Sequence, residues 1–380
     1  MHYYINMIKI EEVKTKKQLK AFVDFPTKLY ENCPQYVHPL RMDEISSFNP
    51  EKNVNFEDCE AACFLAYEND RVVGRIAAII QKAYNKKVGE KRVRFSRFDS
   101  VNNQKVANAL FEAAETWAKT KGMNIVHGPL GFNDLDREGL LIDGFDEVAT
   151  FEEQYNYPYY QTLIENCGYV KEKDWLEYKI FVPKEPNERI NRMSEAVLKR
   201  YNLKIADTSN KNKFIDHYKA QIFEVLDEAY CSLHGVVPFN DKMREQIISQ
   251  FKMFINKDFI IVLVDETDRV VAFGFAIPSL SDAISKSKGR ITPAALCRVL
   301  KAVKHPKIVD FALVGVRDEY QSRGLTAVIM KHIVDIMTKY KIEYAETNLN
   351  LEDNIKIQQT WKNFDHQQHK RRRCFIKHLD

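Results

Sequence analysis

The chain has 380 residues, with 57 basic and 53 acidic side chains and a formal charge of +4. That surplus is too small for a dedicated nucleic-acid binder, and 45% hydrophobic content is ordinary for a soluble globular protein. No run approaches 18 uninterrupted apolar residues, and the opening "MHYYINMIKIEEVKTKKQLK" lacks the apolar core of a secretory signal. No transmembrane helix is expected, and a cytoplasmic location follows as the default. The seven cysteines are odd in number and include no C-x-x-C, which argues against a disulfide framework and a zinc site. No metal is expected. Cys59 and Cys63 are expected to be buried as small apolar groups.

In chain order, "MIKIEEV" (7–13) predicts a strand and "KKQLKAFVDFPTKLY" (16–30) a helix. A hairpin follows, in which the short charged turn of "ENDRVVGRIAAI" (68–79) separates two apolar runs. After it come a strand "RVRFSRFDSV" (92–101), a helix "VANALFEAAETWAKT" (106–120), a strand "NIVHGPL" (124–130) and a short helix "YYQTLIENC" (159–167). "GYVKEKDWLEYKI" (168–180) closes the first half. "FVPKEPNERINR", with two prolines and many charges, predicts a linker, so the expected division is 1–182, a linker 183–200, and 201–380. The second half repeats the order: "LKIAD", helices from about Phe214 and Asp241, and a hairpin with "ETDRVVAFGFAI" (266–277). It continues with strand 307–316, helix 325–340, "YAETNLNL" (344–351), helix "NIKIQQTWKNF" (354–364) and "CFIKHL". The two hairpin segments agree at seven of twelve positions. The expected fold class is α/β (α+β) with two tandem domains.

This order of elements, together with the turn Gln321–Thr326, resembles the GNAT (Gcn5-related N-acetyltransferase) superfamily. Its pyrophosphate motif is written Q/R-x-x-G-x-G/A, and Thr326 departs from it at the last position. The blocks "HPLRMDE" (38–44), "GLLIDGFD" (139–146), "YNYPYYQTLIENCGY" (155–169), "NLNLEDNI" (348–355) and "HKRRR" (369–373) further resemble double-GNAT bacterial proteins that include sphingoid-base N-acyltransferases, the bacterial ceramide synthases. The resemblance implies two mixed, mostly antiparallel twisted sheets flanked by helices. It also implies acyl-CoA or acetyl-CoA as co-substrate, or an acyl carrier protein as donor, and a small-molecule or lipid amine as acceptor.

A helix N-terminus presents unsatisfied N–H groups and a partial positive charge, and anions bind there without a particular side chain. Gln321, Ser322, Arg323, Gly324, Leu325 and Thr326 are therefore the expected phosphate turn. "FDSVNNQKVANAL" holds no glycine at the matching place, so one CoA per chain is expected. By the resemblance, Leu313, Val314, Gly315 and Val316 meet the pantetheine arm, and Asn354 completes the cofactor set.

Acyl transfer needs an uncharged amine, hence a base. "YAETNLNL" alternates, placing Glu346, Asn348 and Asn350 on one face; Glu346 is the candidate base, with Asn348 beside it. Relatives place a general-acid tyrosine in the following helix, where this chain has Trp361. Glu138 and Tyr159 are candidates to supply that function from the long connection 127–148 and the helix after it, which also holds His127, Asp134, Asp143 and Tyr160. Aromatics between Phe132 and Tyr160 are expected to line an acyl groove. The helix "ITPAALCRVLKAVKH" (291–305) has an apolar stripe opposite Arg298, Lys301 and Lys304, a pattern that suits packing or peripheral contact with the inner membrane face. "HKRRRCFIKHLD" reads as a basic tail, either solvated or facing phosphate. The alternative functions are an aminoacyl-tRNA-dependent Fem-type transferase and a non-catalytic acyl-CoA or lipid sensor.

Overall fold

The computed structural model describes residues 8–183, 188–252 and 255–380, and the chain forms two units. The first comprises the chain up to Leu176 together with Ser281–Ala295 and His369–Asp380, and the second comprises Glu177–Leu280 and Leu296–Gln368. This differs from the expected sequential division in two segments that leave the second half and fold with the first.

The first unit contains β1 (Lys9–Glu12), α1 (Lys16–Leu29), α2 (Arg41–Ser47), β2 (Cys59–Glu68), β3 (Arg71–Gln81), α3 (Lys82–Val88), β4 (Arg92–Ser100), α4 (Gln104–Thr120), β5 (Ile125–Gly128), β6 (Leu140–Asp143) and α5 (Tyr159–Asn166); β7 (Val170–Phe181) begins in it. The second contains α6 (Glu188–Arg200), β8 (Lys204–Ile205), α7 (Lys211–Tyr230), α8 (Asp241–Phe251), β9 (Ile260–Val264), β10 (Val270–Pro278), most of α10 (Pro293–Lys304), β11 (Ile308–Val316), α11 (Leu325–Tyr340), β12 (Tyr344–Thr347), β13 (Asn350–Leu351) and α12 (Ile355–Trp361). The short helix α9 (Ser281–Ser285) belongs to the first unit, as does nearly all of β14 (His366–His378).

Within the first unit the strands run in the order β1-β2-β3-β4-β5-β14, and within the second from β12 through β11, β10 and β9 to β8. Each has one parallel pair at the same place in the order, β4–β5 and β11–β12, among antiparallel neighbours. Local chemistry explains the boundaries. Thr15 and Gln18 form a reciprocal capping box at the start of α1. Asn69 and Asp70, at φ 48° and 61°, make the two-residue turn that suits strand twist. The second hairpin needs one more residue: Asp265 N donates to Arg269 O at 3.0 Å, with Asp268 at φ 64°. Sequence identity between the hairpins therefore does not carry identical geometry.

Two expectations are corrected. Residues 188–200 of the expected linker are helix α6, whose Val197 joins a core with Leu203, Leu263 and Val328; residues 184–187 lie outside the described residues. The basic tail is a strand, with Lys370 and Arg372 at 1% and 0% exposure. Asp174, fully buried, takes Arg373 at 2.8 Å and Arg371 at 3.3 Å, Glu115 takes Lys377 at 2.7 Å, and Arg372 donates to Gln154 O. Paired this way, the cations can occupy a sheet interior.

The first unit also buries a polar network. Asp99 accepts from Arg75 at 2.8 Å and from the Tyr30 hydroxyl at 2.9 Å, with the Tyr160 hydroxyl at 3.2 Å. Nearby, Arg97 donates to Glu44 at 3.1 Å and Asp136 at 2.7 Å. Burial alone would raise the Glu44 carboxyl, but Arg97 and Arg137 outweigh it and bring it down to about 2. Cys59 and Cys63 are buried and free, and burial pushes both thiols up to about 12.

Candidate active site

Strand β11 is the axis of the site in the second unit. Its pairing with β10 shifts register between Phe275 and Ala276, which face Leu313 and Phe311, so Ala312 bulges out of the ladder. Its parallel pairing with β12 runs from Ile308 to Phe311 and ends there. Asn348 sits at that end, its N–H donating to Phe311 O at 3.1 Å and its side-chain amide to Ala312 O at 3.3 Å. Past the bulge, Leu313–Val316 keep β10 on one side while β12 has left the other. The Val314 N–H lies 3.4 Å from the Tyr230 hydroxyl oxygen at the end of α7. Backbone donors along this opened edge are what an extended amide chain would pair with.

The turn after β11 leads into α11, a 16-residue helix whose N-cap is Gly324 at φ 85°, without a side-chain cap. That left-handed conformation favours glycine, and only Val197 Cγ2, at 3.2 Å, would touch an added Cβ. Arg323 lies over the rings of Tyr201 and Tyr320, at 5.4 and 5.1 Å. Gln321 bonds Asp318 at 2.9 Å and accepts from Lys356 at 3.2 Å. Ser322 is itself left-handed, at φ 60°. The helix start is open and cationic, with Leu325 buried beneath it and Thr326 half-buried. Replacing Gly324 with leucine is expected to weaken CoA at least tenfold, roughly 1.4 kcal/mol, with the circular dichroism spectrum unchanged. An unaltered dissociation constant by calorimetry would refute the assignment.

The corresponding places in the first unit are filled. The bulge recurs, with register shifting between Arg75 and Ala77 and Arg97 at φ 49°. There the Ser100 N–H donates to the Tyr160 hydroxyl at 3.1 Å, and its carbonyl accepts from Tyr159 at 2.8 Å. The start of α4 is capped by Asn103, whose side chain accepts from Lys105 N at 3.0 Å. Both units thus offer a tyrosine hydroxyl to the strand N–H after the bulge, at 3.1 Å for Ser100 and 3.4 Å for Val314, and they differ at the helix start, capped by Asn103 in the first and without a side-chain cap at Gly324 in the second. CoA titration is expected to saturate at one per chain; two equivalent sites would overturn this reading.

Other candidates sit less simply. Glu346 is 7% exposed on β12, opposite Asp310 on one side and Lys179 on the other, and its carboxylate lies within 4.8 Å of that of Glu177. The expected single polar face breaks after Thr347, where β12 ends. Asn350 instead turns inward to Thr347 Oγ1 at 2.9 Å, and Trp361 Nε1 donates to it at 3.3 Å. Trp361 stacks on Phe311 with ring centroids 5.8 Å apart, a packing role. Gly315 is also a packing position, since a Cβ there would lie 2.5 Å from Phe273. Asn354 caps α12, accepting from Ile357 N at 3.4 Å.

In the first unit, Glu138 is 5% exposed, and burial pushes its carboxyl well up, with the charges of Asp134 and Glu153 adding to the effect. His127 is fully buried, with Nδ1 3.1 Å from Glu172. Asp143 is exposed on β6. Phe132, Tyr155 and Tyr160 belong to the cores of the unit, and Tyr159 donates inward to Ser100, so these aromatics do not form the expected acyl lining. Along α10, Ala295 and Val299 are buried while Leu300 is 49% exposed. No helix among the described residues is long and apolar enough to cross a membrane. Tyr230 is the residue that sequence reasoning missed; "DEAYCSLHG" gives no sign that a helix-terminal tyrosine reaches a strand bulge.

Two units that each order a bulged strand, a turn, a helix and a parallel strand define a tandem GNAT fold. A tandem GNAT protein from the clavulanic acid biosynthesis pathway superposes with a TM-score of 0.56 at 12% identity, covering 98% of both chains. In sequence, the chain is 26% identical to Protein YghO of Escherichia coli (strain K12), over 96% of this chain and 94% of that one. It is also 27% identical to the Bacterial ceramide synthase of Caulobacter vibrioides (strain NA1000 / CB15N), over 82% of this chain and 80% of that one. No family model matches the chain.

Proposed function

We propose that the protein is an N-acyltransferase that moves an acyl group from acyl-CoA, or from an acyl carrier protein, to a primary amine, with a long-chain sphingoid-type base as the acceptor. The observation that carries this reading is the opened edge of β11 beside the uncapped start of α11, an arrangement that suits an extended amide chain and, at its end, a phosphate. The bacterial ceramide synthase among its relatives supports the acceptor class.

In the reaction, the amine nitrogen attacks the thioester carbonyl, a C–N bond forms, the C–S bond breaks, and CoA leaves as thiol. The Val314 N–H, which donates to the Tyr230 hydroxyl at 3.4 Å, is the proposed donor that would exchange this partner for the carbonyl oxygen as it gains charge; such donors contribute about 10²–10³ in rate. Glu346, with Glu177 and Asp310 around it, is the proposed base: a carboxylate cluster attracts an ammonium and can take its proton. Asn348 holds the mouth of the slot open rather than reacting.

A competition between acetyl-CoA and palmitoyl-CoA, across sphinganine, glycine and spermidine, tests donor and acceptor together. Preferred turnover of the palmitoyl donor with sphinganine is expected. Faster acetyl transfer to a small soluble amine would remove the lipid reading, and CoA binding without turnover on any amine would make the protein a binding module.

A further inference from the structure

The first unit holds a cavity that the proposed reaction does not use. It measures about 550 Å³ and lies between α1, the segment 36–41 and a strap formed by residues 286–290. Although the strap follows β10 in sequence, it folds with the first unit. Gly289 fastens it: its carbonyl accepts from Arg41 N at 3.0 Å. At φ 72° a side chain there would be strained, and a Cβ would meet Pro39 O at 2.0 Å. The strap is therefore seated on the 38–41 segment by backbone contact that only glycine permits.

The lining is strongly cationic. Lys28, Arg41, Lys286, Lys288 and Arg290 face two carboxylates, Asp24 and Glu31. Arg41 is held bidentately by Asp24 at 2.6 and 2.8 Å, and Lys288 lies 3.5 Å from Glu31. Lys286 pairs with Asp282, outside the lining, at 2.8 Å. Among the described residues, Lys28 and Arg290 form no ion pair. His38 also lines the cavity; it is 8% exposed, sits edge-on to Tyr36 at 4.8 Å, and neither ring nitrogen has a hydrogen-bond partner. Burial, with the charges of Lys288 and Arg137, brings its imidazole down to about 4, so it is neutral at pH 7. A buried donor with no partner is costly unless a ligand completes it.

The excess positive charge disfavours an ammonium and selects an anion. A ligand with several acceptor oxygens answers both the unpaired cations and the imidazole N–H. We propose that this cavity binds a phosphate monoester, with Lys28 and Arg290 taking its charge and His38 donating to one of its oxygens. The group could belong to a soluble metabolite or to a lipid headgroup, and the experiment separates the two.

The full chain is titrated by calorimetry with inorganic phosphate and with glycerol 3-phosphate. It is then tested for co-sedimentation with phosphatidylcholine vesicles with and without phosphatidic acid. Saturable binding of glycerol 3-phosphate, and of inorganic phosphate more weakly, is expected, reduced at least tenfold in the Lys28→Ala/Arg290→Ala variant and in His38→Phe, and retained in Gly324→Leu. Both lysine and arginine side chains are exposed, so the double variant keeps the fold, which an unchanged melting temperature verifies. Binding to phosphatidic acid vesicles alone, with the same loss in the double variant, assigns the headgroup as the source. No saturable binding of any probe, or binding that the double variant leaves unchanged, overturns the proposal. Because CoA binding to the second unit is measured in the same preparations, failure here is distinguishable from failure of the acyl-transfer reading.

Discussion

Replacing Asp99 with alanine will destabilise the first unit by about 3–5 kcal/mol, the range for breaking a buried ion pair by removing one partner. Arg75 is 4% exposed and donates to Asp99 and to Phe22 O; without the carboxylate its charge would remain buried and incompletely compensated. The hydroxyls of Tyr30 and Tyr160 lose an acceptor at the same time, although they lie 2.8 Å apart and keep each other. Burial pushes the Asp99 carboxyl up, against the pull of Arg75 and the two tyrosines, so asparagine should be tolerated better than alanine. Urea unfolding checks this. A loss below about 1 kcal/mol, the worth of an exposed pair, would show that the network contributes little.

The second large effect concerns chemistry. Glu346→Gln keeps the size and hydrogen-bonding shape of the side chain but cannot take a proton, and kcat is expected to fall by about 10²–10⁴, the usual contribution of a general base. CoA affinity should stay within twofold, because the proposed phosphate turn, residues 321–326, is untouched. Pre-steady-state acyl transfer separates this from slower product release. Undiminished kcat would move the base elsewhere, with Asp310, its partner across β11, the next residue to test.

Much of the architecture could be read from the chain because its signals are local. The helix periodicity of 325–340, the charged turn between apolar runs in 68–79 and the glycine in a polar turn each depend on residues a few positions apart. The repeat of element order then gave the class. What escaped depends on partners far away in sequence. "HKRRR" reads as solvated or facing phosphate until Asp174, 197 positions before Arg371, is known to neutralise it. The polar face of "YAETNLNL" assumes a continuous strand, but β12 stops at Thr347 because Asn350 finds Trp361. Tyr159 reads from the sequence as a candidate acid or hydrogen-bond donor, and its inward hydrogen bond to the Ser100 carbonyl depends on a partner 59 positions away. The strap at 286–290 has no periodicity of its own, and only its seat on Pro39 explains it.

The return of β14 to the first sheet has a consequence for biosynthesis. Strand β5 pairs with residues 375–378 and β6 with 371–373, all made after the whole of the second unit's sheet. A ribosome that has delivered β1 to β7 has therefore produced β1 to β5 of this order, lacking only β14, and the β5 edge stays open while the following residues are synthesised. Unsatisfied strand edges of this kind invite aggregation. The nascent first unit would depend on chaperone protection, or on temporary self-association, until its closing strand emerged. The second unit ends at Gln368, directly before the segment that closes the first, so both units become complete only as the last stretch of chain is made, in place of the N-to-C order common for multidomain chains.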